Sequence, residues 1–154
     1  MTDSPRILIV EARFYSDIAD QLVAGAVSAL DAAGFHHERL AVPGVFELPA
    51  AIRMALRSVE SGSGSMPYAG IVAFGCVIRG ETDHYDHVCR ESSRALMDLT
   101  TEYSIAFGFG ILTCDNRAQA EDRAAVDRRN KGGEVAEACI QMIDVKRHFR
   151  LFER

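Results

Sequence analysis

Short apolar runs alternate along this chain with longer segments in which apolar residues return every three or four positions. The short runs predict strands that are buried on both faces of a sheet, because neither face carries polar side chains. The longer segments predict helices with one apolar face. In chain order, the predicted strands cover residues 7–10, 40–42, 71–74 and 105–112.

Helix boundaries follow from capping and helix-breaking residues. Ser16 can cap a first helix that Gly34 ends, and Pro49 suits the first turn of a second helix that runs to about Ser58. A third helix is predicted over 85–100, and Asn116 can cap a short fourth helix. A fifth helix is predicted after the glycine pair at 132–133.

Apolar spacing predicts which sides of the last long helices face inward. For the third helix, the residues predicted to share one face are Val88, Ser92, Ala95 and Leu99. For the fifth helix they are Val135, Ala138, Cys139, Met142 and Val145.

The order β-α-β-α-β-α-β-α-α predicts an α/β protein with a parallel sheet. Right-handed crossovers place helices on both faces, which gives a flavodoxin-like three-layer α/β/α sandwich with a four-stranded parallel sheet. We expect one domain over residues 1–154, with the glycine- and serine-rich run 61–65 as a surface loop. The open edges of so small a sheet favour self-association.

Charge and hydropathy narrow the classes of function. The chain carries 17 basic and 22 acidic side chains, a net charge of -5, which argues against a general nucleic-acid surface. A locally positive pocket for an anionic substrate remains compatible with this balance. Charged residues flank the four apolar residues 7–10, and this run is too short for a signal peptide or a membrane span. We therefore expect a cytoplasmic protein with no membrane partner.

The four cysteines stand far apart and never form a CxxC pair. Each lies among apolar or helical neighbours, so we expect reduced, buried thiols in preference to disulfides or a metal site. They are Cys76, Cys89, Cys114 and Cys139.

In parallel sheets of this kind, ligands bind beyond the carboxyl ends of the strands. Phe14 and Tyr15 follow the first predicted strand, where an aromatic ring could stack on a planar ligand or fold back onto the core. Residues 42–49 follow the second predicted strand and contain two prolines and a glycine. This segment could direct main-chain groups at a ligand or be only a stiff connection.

The segment with the most candidate binding and catalytic groups follows the third predicted strand, over residues 75–85. Gly80 permits close backbone approach, Thr82 offers a hydroxyl, and the helix that starts near Tyr85 has free amides at which phosphate binds readily. His84 would stand beside that anion, and its reference pKa of about 6.5 suits proton transfer. The alternative is a capping or hydrogen-bonded surface histidine. The segment is rich in potential metal ligands, but without an HExxH or paired CxxC pattern we predict no native metal.

A charged run over 117–131 follows the fourth predicted strand. Such runs are usually solvated helix faces. One of its arginines could still hold a phosphate through a planar fork of donors, although spacing does not identify which.

Four segments together resemble the lumazine synthase family. They are Arg13-Phe14, residues 42–49 (VPGVFELP), residues 75–86 (GCVIRGETDHYD) and residues 130–133 (NKGG). The match covers nearly the whole chain in order, and the VIRGET core followed by a histidine and an aromatic residue is its most specific part.

The resemblance implies an enzyme of riboflavin biosynthesis that uses no cofactor. The family's reaction joins 5-amino-6-(D-ribitylamino)uracil to 3,4-dihydroxy-2-butanone 4-phosphate and yields 6,7-dimethyl-8-ribityllumazine, with loss of phosphate and water. Members form pentamers and sometimes 60-subunit capsids, with active sites between subunits. We therefore expect a homopentamer, with further assembly left open.

The resemblance also implies the site residues. Those for the uracil substrate are Phe14 on the pyrimidine, Val45, Phe46 and Glu47 around the ribityl chain, and Cys76, Val77 and Ile78 along the ring pocket. Those for the phosphate and for proton transfer are Glu81 and Thr82, mainly through their backbone, and His84. Those expected from a neighbouring subunit are Phe109, Arg123, which would hold the phosphate, and Lys131.

Two residues depart from the family's pattern. Tyr15 stands where asparagine is common in the family. Asp83 puts a carboxylate into the loop after the third predicted strand, which is expected to bind the phosphate and is called the anion loop below. That carboxylate is unfavourable unless it points to solvent or orients His84. A flavin-binding or storage protein on the same scaffold is the alternative function, because the family's product resembles riboflavin. Intact His84 and Arg123 favour the enzyme.

Overall fold

The computed structural model describes residues 5–60 and 68–151. Over these residues, strands and helices alternate in the predicted order. The strands are β1 (Arg6–Ala12), β2 (His36–Val42), β3 (Gly70–Ile78) and β4 (Phe107–Cys114). The α-helices are α1 (Ser16–Ala32), α2 (Leu48–Glu60), α3 (His84–Tyr103), α4 (Arg117–Ala124) and α5 (Lys131–His148), and a 3₁₀ turn spans Val45–Glu47. The loop predicted at 61–65 lies outside the described residues.

The strands form one parallel sheet in the order β2-β1-β3-β4. Helices α1, α4 and α5 cover one face, and helices α2 and α3 cover the other. The fold is therefore the predicted three-layer α/β/α sandwich of the flavodoxin-like type. Because all four strands run the same way, their carboxyl ends share one edge of the sheet, and the loops that follow them meet there.

Two hydrophobic clusters hold the layers together, one on each face of the sheet. Ile7 and Ile9 of β1 point into the cluster with α1 and α5, whereas Leu8 and Val10 point into the cluster with α2 and α3. All four side chains are at most 1% exposed. This two-sided burial explains why the central strand is a continuous apolar run.

The bounds of β2, β3 and β4 differ from those predicted from the sequence. Pairing of β3 with β4 continues to Ile78 opposite Cys114, so residues 76–78 belong to the strand and not to the loop after it. β4 begins at Phe107 and not at residue 105. β2 is longer than predicted because it begins at His36, in a polar stretch. An edge strand exposes much of its surface to water, so polar residues there do not prevent pairing.

The prediction for the start of α1 was wrong, whereas that for α4 is confirmed. Ser16 is the first residue of α1, and Tyr15 stands at the cap position without a capping hydrogen bond from its side chain. Asn116 does cap α4, because its side-chain oxygen accepts a hydrogen bond from the Gln119 amide at 2.9 Å. Gly34 follows α1 with a φ of +82°, a left-handed conformation that glycine adopts without strain.

The inward face of α5 needed correction, whereas the face predicted for α3 did not. In α3, Val88 and Ser92 are buried, Ala95 and Leu99 are half-buried, and Leu99 packs against the core; Leu96 is buried as well. In α5, Val135 and Cys139 are buried as predicted, whereas Ala138, Met142 and Val145 are exposed. The remaining inward residues of α5 are Gly132, Gly133, Ala136 and Ile143.

The rotation of α5 is set by a backbone contact that side-chain periodicity does not reveal. A Cβ atom on Gly132 would collide with the carbonyl group of Leu22 in α1. The two helices therefore approach closely at this glycine, which turns Ala136 and Ile143 to the sheet and leaves Met142 outside.

The cysteines are free thiols, as predicted, although they are not all fully buried. Cys76, Cys114 and Cys139 are buried, and Cys89 is half-buried. In the part of the chain that the structure describes, no helix is both long and apolar enough to cross a membrane.

Candidate functional site

The predicted site residues that do not come from a neighbouring subunit lie on loops at the carboxyl edge of the sheet. The turn after β1 carries Phe14, and the 3₁₀ turn after β2 comprises Val45–Glu47. The last residues of β3 are Cys76, Val77 and Ile78, and the loop from β3 to α3 carries Glu81 and Thr82 and leads to His84.

Two phenyl rings stand exposed at this edge. Phe14 is 74% exposed and Phe46 is 61% exposed, although apolar rings of this size are usually buried. Phe14 touches Tyr15 edge to face, with ring centroids 5.0 Å apart. Tyr15, and not Phe14, packs against the core. Of the two alternatives for Phe14, the structure therefore shows the exposed ring.

The 3₁₀ turn after β2 buries one side chain and exposes two. Val45 is 5% exposed, and its side chain packs into the core on the α2 side. Only its main-chain atoms could therefore contact a ligand. Glu47 is exposed, and its amide donates to the Gly44 carbonyl at 3.2 Å. A Cβ on Gly44 would lie 3.1 Å from a Glu47 carboxylate oxygen, so Gly44 leaves room for that carboxylate beside the loop.

The loop between β3 and α3 ends at the amino terminus of a helix of 20 residues. Free amide groups at such a terminus, together with the helix dipole, attract anions. Thr82 Oγ accepts a hydrogen bond from the His84 amide at 3.3 Å, which fixes the last turn of the loop. Glu81, Thr82 and His84 are all exposed, so an anion could reach them from solvent.

The His84 imidazole forms no hydrogen bond or ion pair with any other described residue. The alternative interpretation of His84 as a hydrogen-bonded surface histidine is therefore not supported. Asp83 lies 3.4 Å from His87 and not on His84, and its side chain is 83% exposed. Of the two ways to accommodate the Asp83 carboxylate, the structure shows the one in which it points to solvent.

Arg79 holds this loop against its surroundings, a role that the sequence analysis missed. Its Nε atom donates to Asp115 at 3.2 Å, and its guanidinium lies 3.7 Å from Asp86 and 4.3 Å from the centre of the Tyr85 ring. These contacts tie the loop to α3 and to the segment after β4. The one sequence feature that could have indicated this role is the position of Arg79 inside the VIRGET motif.

Phe109, Arg123 and Lys131 lie on other elements. Phe109 is 44% exposed on β4, opposite Ala73 of β3. Arg123 lies in the last turn of α4, and Lys131 is the first residue of α5. Within the described residues, no hydrogen bond, ion pair or ring contact joins any of the three to the loops after β1, β2 or β3.

Arg123 and Arg128 are the two arginines of the run 117–131 that have no carboxylate partner among the described residues. The Arg123 guanidinium is half-buried and donates to the Gln119 carbonyl of its own helix at 3.2 Å. In contrast, Arg117 pairs with two carboxylates, Arg129 lies 2.9 Å from Asp122, and Lys131 lies 2.9 Å from Glu134. Arg123 and Arg128 therefore both keep guanidinium donors for an anion, and the family resemblance is what singles out Arg123.

Cys76, which the resemblance places along the ring pocket, is a buried neutral thiol at the end of β3. Burial raises its pKa to about 12, and the neighbouring Cys114 acts in the same direction. A thiol with so high a pKa is almost entirely protonated at neutral pH and is a poor nucleophile. The described residues also contain no group of three or more histidine, cysteine and acidic side chains that could hold a metal ion.

A cavity lies at the opposite, amino end of the sheet. Leu56, Tyr68, Tyr103, Ile105 and Lys146 are among the residues that line it, and no predicted site residue does. The exposed rings and the anion loop instead form an open surface at the carboxyl edge. A surface of this kind surrounds a small substrate only if another molecule covers it.

The amino-acid sequence is similar to those of known proteins over most of its length. The family model described as 6,7-dimethyl-8-ribityllumazine synthase matches residues 4–147. A protein of that name from Paramagnetospirillum magneticum is 49% identical over 146 residues, which cover 95% of this chain and 97% of the relative. One from Afipia carboxidovorans is 53% identical over 92% of this chain and 86% of the relative. One from Bartonella tribocorum is 50% identical over 97% of this chain and 95% of the relative.

Proposed function

The chain belongs to the 6,7-dimethyl-8-ribityllumazine synthase family, and we propose that the carboxyl edge of its sheet forms one half of that enzyme's active site. The enzyme acts in riboflavin biosynthesis, where it condenses 5-amino-6-(D-ribitylamino)uracil with 3,4-dihydroxy-2-butanone 4-phosphate. The products are 6,7-dimethyl-8-ribityllumazine, one phosphate and two water molecules. The observation that carries the proposal is that one edge holds exposed aromatic rings beside a helix amino terminus that fits an anion.

The uracil substrate binds at the aromatic side of this edge. Phe14 stacks on the pyrimidine through its exposed face, and Phe46 with Glu47 holds the ribityl chain. The ring lies against the end of β3, where Val77 and Ile78 are half-buried and Cys76 supplies a neutral wall.

The phosphate of the second substrate binds at the amino terminus of α3. Backbone amides of the loop that contains Glu81 and Thr82 point towards it, as they do at other helix amino termini that bind phosphate. Arg123 of a neighbouring copy completes the phosphate site with its unused guanidinium donors, and the neighbouring Lys131 adds positive charge. Phe109 of that copy closes the aromatic side.

His84 moves protons between the two reactants. It is the first residue of α3, so it stands beside the phosphate site, and no other described residue occupies its ring nitrogens. An imidazole ring can both accept and donate a proton, which suits a group that moves protons between reactants. It can take a proton from the attacking amine and return it to a leaving oxygen.

The chemistry needs no covalent nucleophile from the protein. The substrate amine attacks the ketone, water leaves to give an imine, phosphate departs, and ring closure expels a second water. Holding two reactants in one geometry can supply much of the rate, because effective molarities reach about 10⁵ M or more. Donors aimed at the departing phosphate stabilise the charge that develops there.

The proposal includes an oligomer, a homopentamer in the cytoplasm. β4 carries Phe109 and lies at the edge of the sheet opposite β2, three strand spacings or roughly 14 Å away. We infer that a second copy brings its own β4 and α4 to the loops of the first. Large apolar side chains that are exposed on one chain, such as Met54, Met97 and Met142, are available for such contacts.

Mixing the purified protein with both substrates tests the proposal directly. Lumazine fluorescence and phosphate release are followed together, and we expect them to rise in equal amounts. The protein with Arg94→Ala serves as a control, because Arg94 pairs only with Glu91 and Asp98 on the exposed side of α3. Tight riboflavin binding without either product would contradict the enzyme and favour a flavin carrier.

A further inference from the structure

Glu11 is the only charged residue among those described that is buried. It lies near the end of β1, in an otherwise apolar run, and is 2% exposed. Burying a carboxylate is costly unless it is paired and hydrogen-bonded. The reaction outlined above does not use this group, so its retention in the sheet needs another explanation.

Two arginines surround the Glu11 carboxylate. Arg39 on β2 donates from Nε and from one terminal nitrogen, each at 2.8 Å, and Arg13 donates at 2.6 Å. Burial acts to raise the pKa of Glu11, but the hydrogen bonds from Arg39 and Arg13 outweigh it and hold the pKa below its ordinary value. The group is therefore a carboxylate at neutral pH and accepts three charge-assisted hydrogen bonds.

Arg13 connects this buried carboxylate to the turn that carries Phe14. One terminal nitrogen of Arg13 binds Glu11, and the other binds Asp20 of α1 at 2.6 Å and the Ser16 carbonyl at 3.4 Å. The Arg13 amide also donates to the Val42 carbonyl at 3.0 Å. The guanidinium thus spans the turn from the end of β1 to the second turn of α1.

The far side of the turn is also anchored. Tyr15 packs against the core, and the guanidinium of Arg117 lies 5.9 Å from the centre of its ring. Arg117 in turn pairs with Asp17, in the first turn of α1. Phe14 itself is exposed, so the direction of its ring depends on the backbone between these two anchors.

We propose that Glu11 is a positioning residue that holds the turn after β1 through Arg13, so that the Phe14 ring is already placed to stack on the uracil substrate. Without the carboxylate, the guanidinium groups of Arg13 and Arg39 would repel each other, and Arg13 would leave the turn. Glutamine cannot replace it, because its amide would direct N–H groups at other N–H donors. This inference rests on the proposed function for the identity of the ligand.

The kinetic test compares the wild-type protein with Glu11→Gln. We expect the KM for ribitylaminouracil to rise about tenfold, because placing the ring beforehand removes part of the ordering cost of binding. The KM for butanone phosphate and the kcat at saturation should change less than twofold. A merely structural role would instead move both KM values together. Equal shifts, or none, would overturn the proposal.

A second variant covers the case in which Glu11→Gln does not fold. Asp20→Asn removes the outer partner of Arg13 at a site that is 61% exposed, so the fold should survive. We expect the same split between the two KM values, at about threefold. Asp98→Asn, which removes an exposed partner of Arg94 on α3, is the matched control and should change neither KM.

A spectroscopic test separates failure of this inference from failure of the proposed function. The chain contains no tryptophan, so the indole introduced by Phe14→Trp is a unique probe of the turn. Its fluorescence anisotropy should decay mainly with overall tumbling when Glu11 is present, and should gain a fast nanosecond component with Glu11→Gln. Identical decays in both backgrounds would refute the positioning role, whether or not the protein makes lumazine.

Discussion

The carboxylate of Asp83 lies 3.4 Å from the Nε atom of His87, one turn along α3. This contact draws the negative charge of Asp83 to the exposed side of the helix. It leaves the charge near the anion loop but without a direct contact to His84. The unusual acidic residue should therefore weaken phosphate binding without affecting proton transfer.

Asp83→Asn should improve use of the phosphorylated substrate. An exposed charge acts weakly through water, so we expect its removal to lower the KM for butanone phosphate about twofold at low salt, with little change at high salt. Steady-state kinetics at two ionic strengths measure this. Asp98→Asn on the same helix is the charge-matched control. A higher KM for the variant would show that the carboxylate helps to order the loop.

His84→Ala should slow turnover more than it weakens binding. A positioned proton-transfer group contributes about 10²-fold or more to a rate, whereas the exposed imidazole adds little to substrate affinity. Single-turnover rates and direct titration of the product analogue riboflavin separate the two effects. His87→Ala, one turn further along α3, should leave the rate nearly unchanged. Wild-type turnover with His84→Ala would remove His84 from the mechanism.

Two inactive variants should restore activity when their chains are mixed. His84→Ala damages the half-site at the sheet edge, and Arg123→Ala damages the half-site expected from a neighbour. In an oligomer refolded from equal amounts, about one quarter of the interfaces (½ × ½) would combine two intact halves. We expect activity near that fraction of wild type.

The control for the mixing experiment combines His84→Ala chains with Phe14→Ala chains. Both changes lie on the same half-site, so no interface regains an intact site. Recovered activity in this control, or none in the first mixture, would contradict a site shared between two chains. Arg123→Ala alone should chiefly impair use of the phosphorylated substrate; equal damage to uracil binding would count against its proposed role.

Gly132→Ala should destabilise the fold strongly. The added methyl group meets the Leu22 carbonyl, and neither helix backbone can move without disturbing the core. Overpacking of this kind typically costs about 1–3 kcal/mol, and we expect a loss of free energy of unfolding at the upper end. Gly80→Ala is the control, because no heavy atom lies within 4 Å of its added Cβ. Urea unfolding compares the two, and similar midpoints would contradict the close contact of α1 with α5.

Stability towards acid should depend on Glu11. The folded-state pKa of Glu11 lies below its ordinary value of 4.5, so its contribution is fully present above that pH and is lost as the pH falls through the lower folded value. The difference in free energy of unfolding between wild type and Glu11→Gln should be largest near pH 7 and should shrink below pH 4.5. Urea titrations from pH 7 to about pH 3 measure it. A difference independent of pH would show that the carboxylate is not ionised in the fold.

The four-stranded parallel sheet could be predicted because the central strands are buried on both faces. That burial makes the residues from Ile7 to Val10 a continuous apolar run, which periodicity detects. β2 was only partly predicted because an edge strand tolerates the polar residues from His36 to Arg39. The inward face of α5 was mispredicted because the contact between Gly132 and Leu22, made by backbone atoms, determines the rotation of the helix.

The segments that carry the single-chain part of the candidate site followed from position, since ligands in such sheets bind after the strands. The individual residues in those segments were named through the family resemblance. Which arginine is available for an anion could not be predicted, because partners such as Asp17 and Arg117 are 100 residues apart in sequence and meet only in the fold. The sequence alone shows Glu11 as the acidic residue that directly follows the apolar run 7–10, but it does not show what the carboxylate contacts. Its two arginine partners lie on different elements, and no local pattern connects them.

The two open edges of the sheet differ in chemistry, and this matters for a subunit that has just been synthesised. β2 presents histidine, glutamate and arginine side chains, which discourage another strand from adding there. β4 presents Phe109 between two glycines, a flat and apolar edge. If other copies cover β4 as proposed, a subunit without partners exposes this edge and can aggregate through it. Overproduction of this chain should therefore favour aggregation through β4.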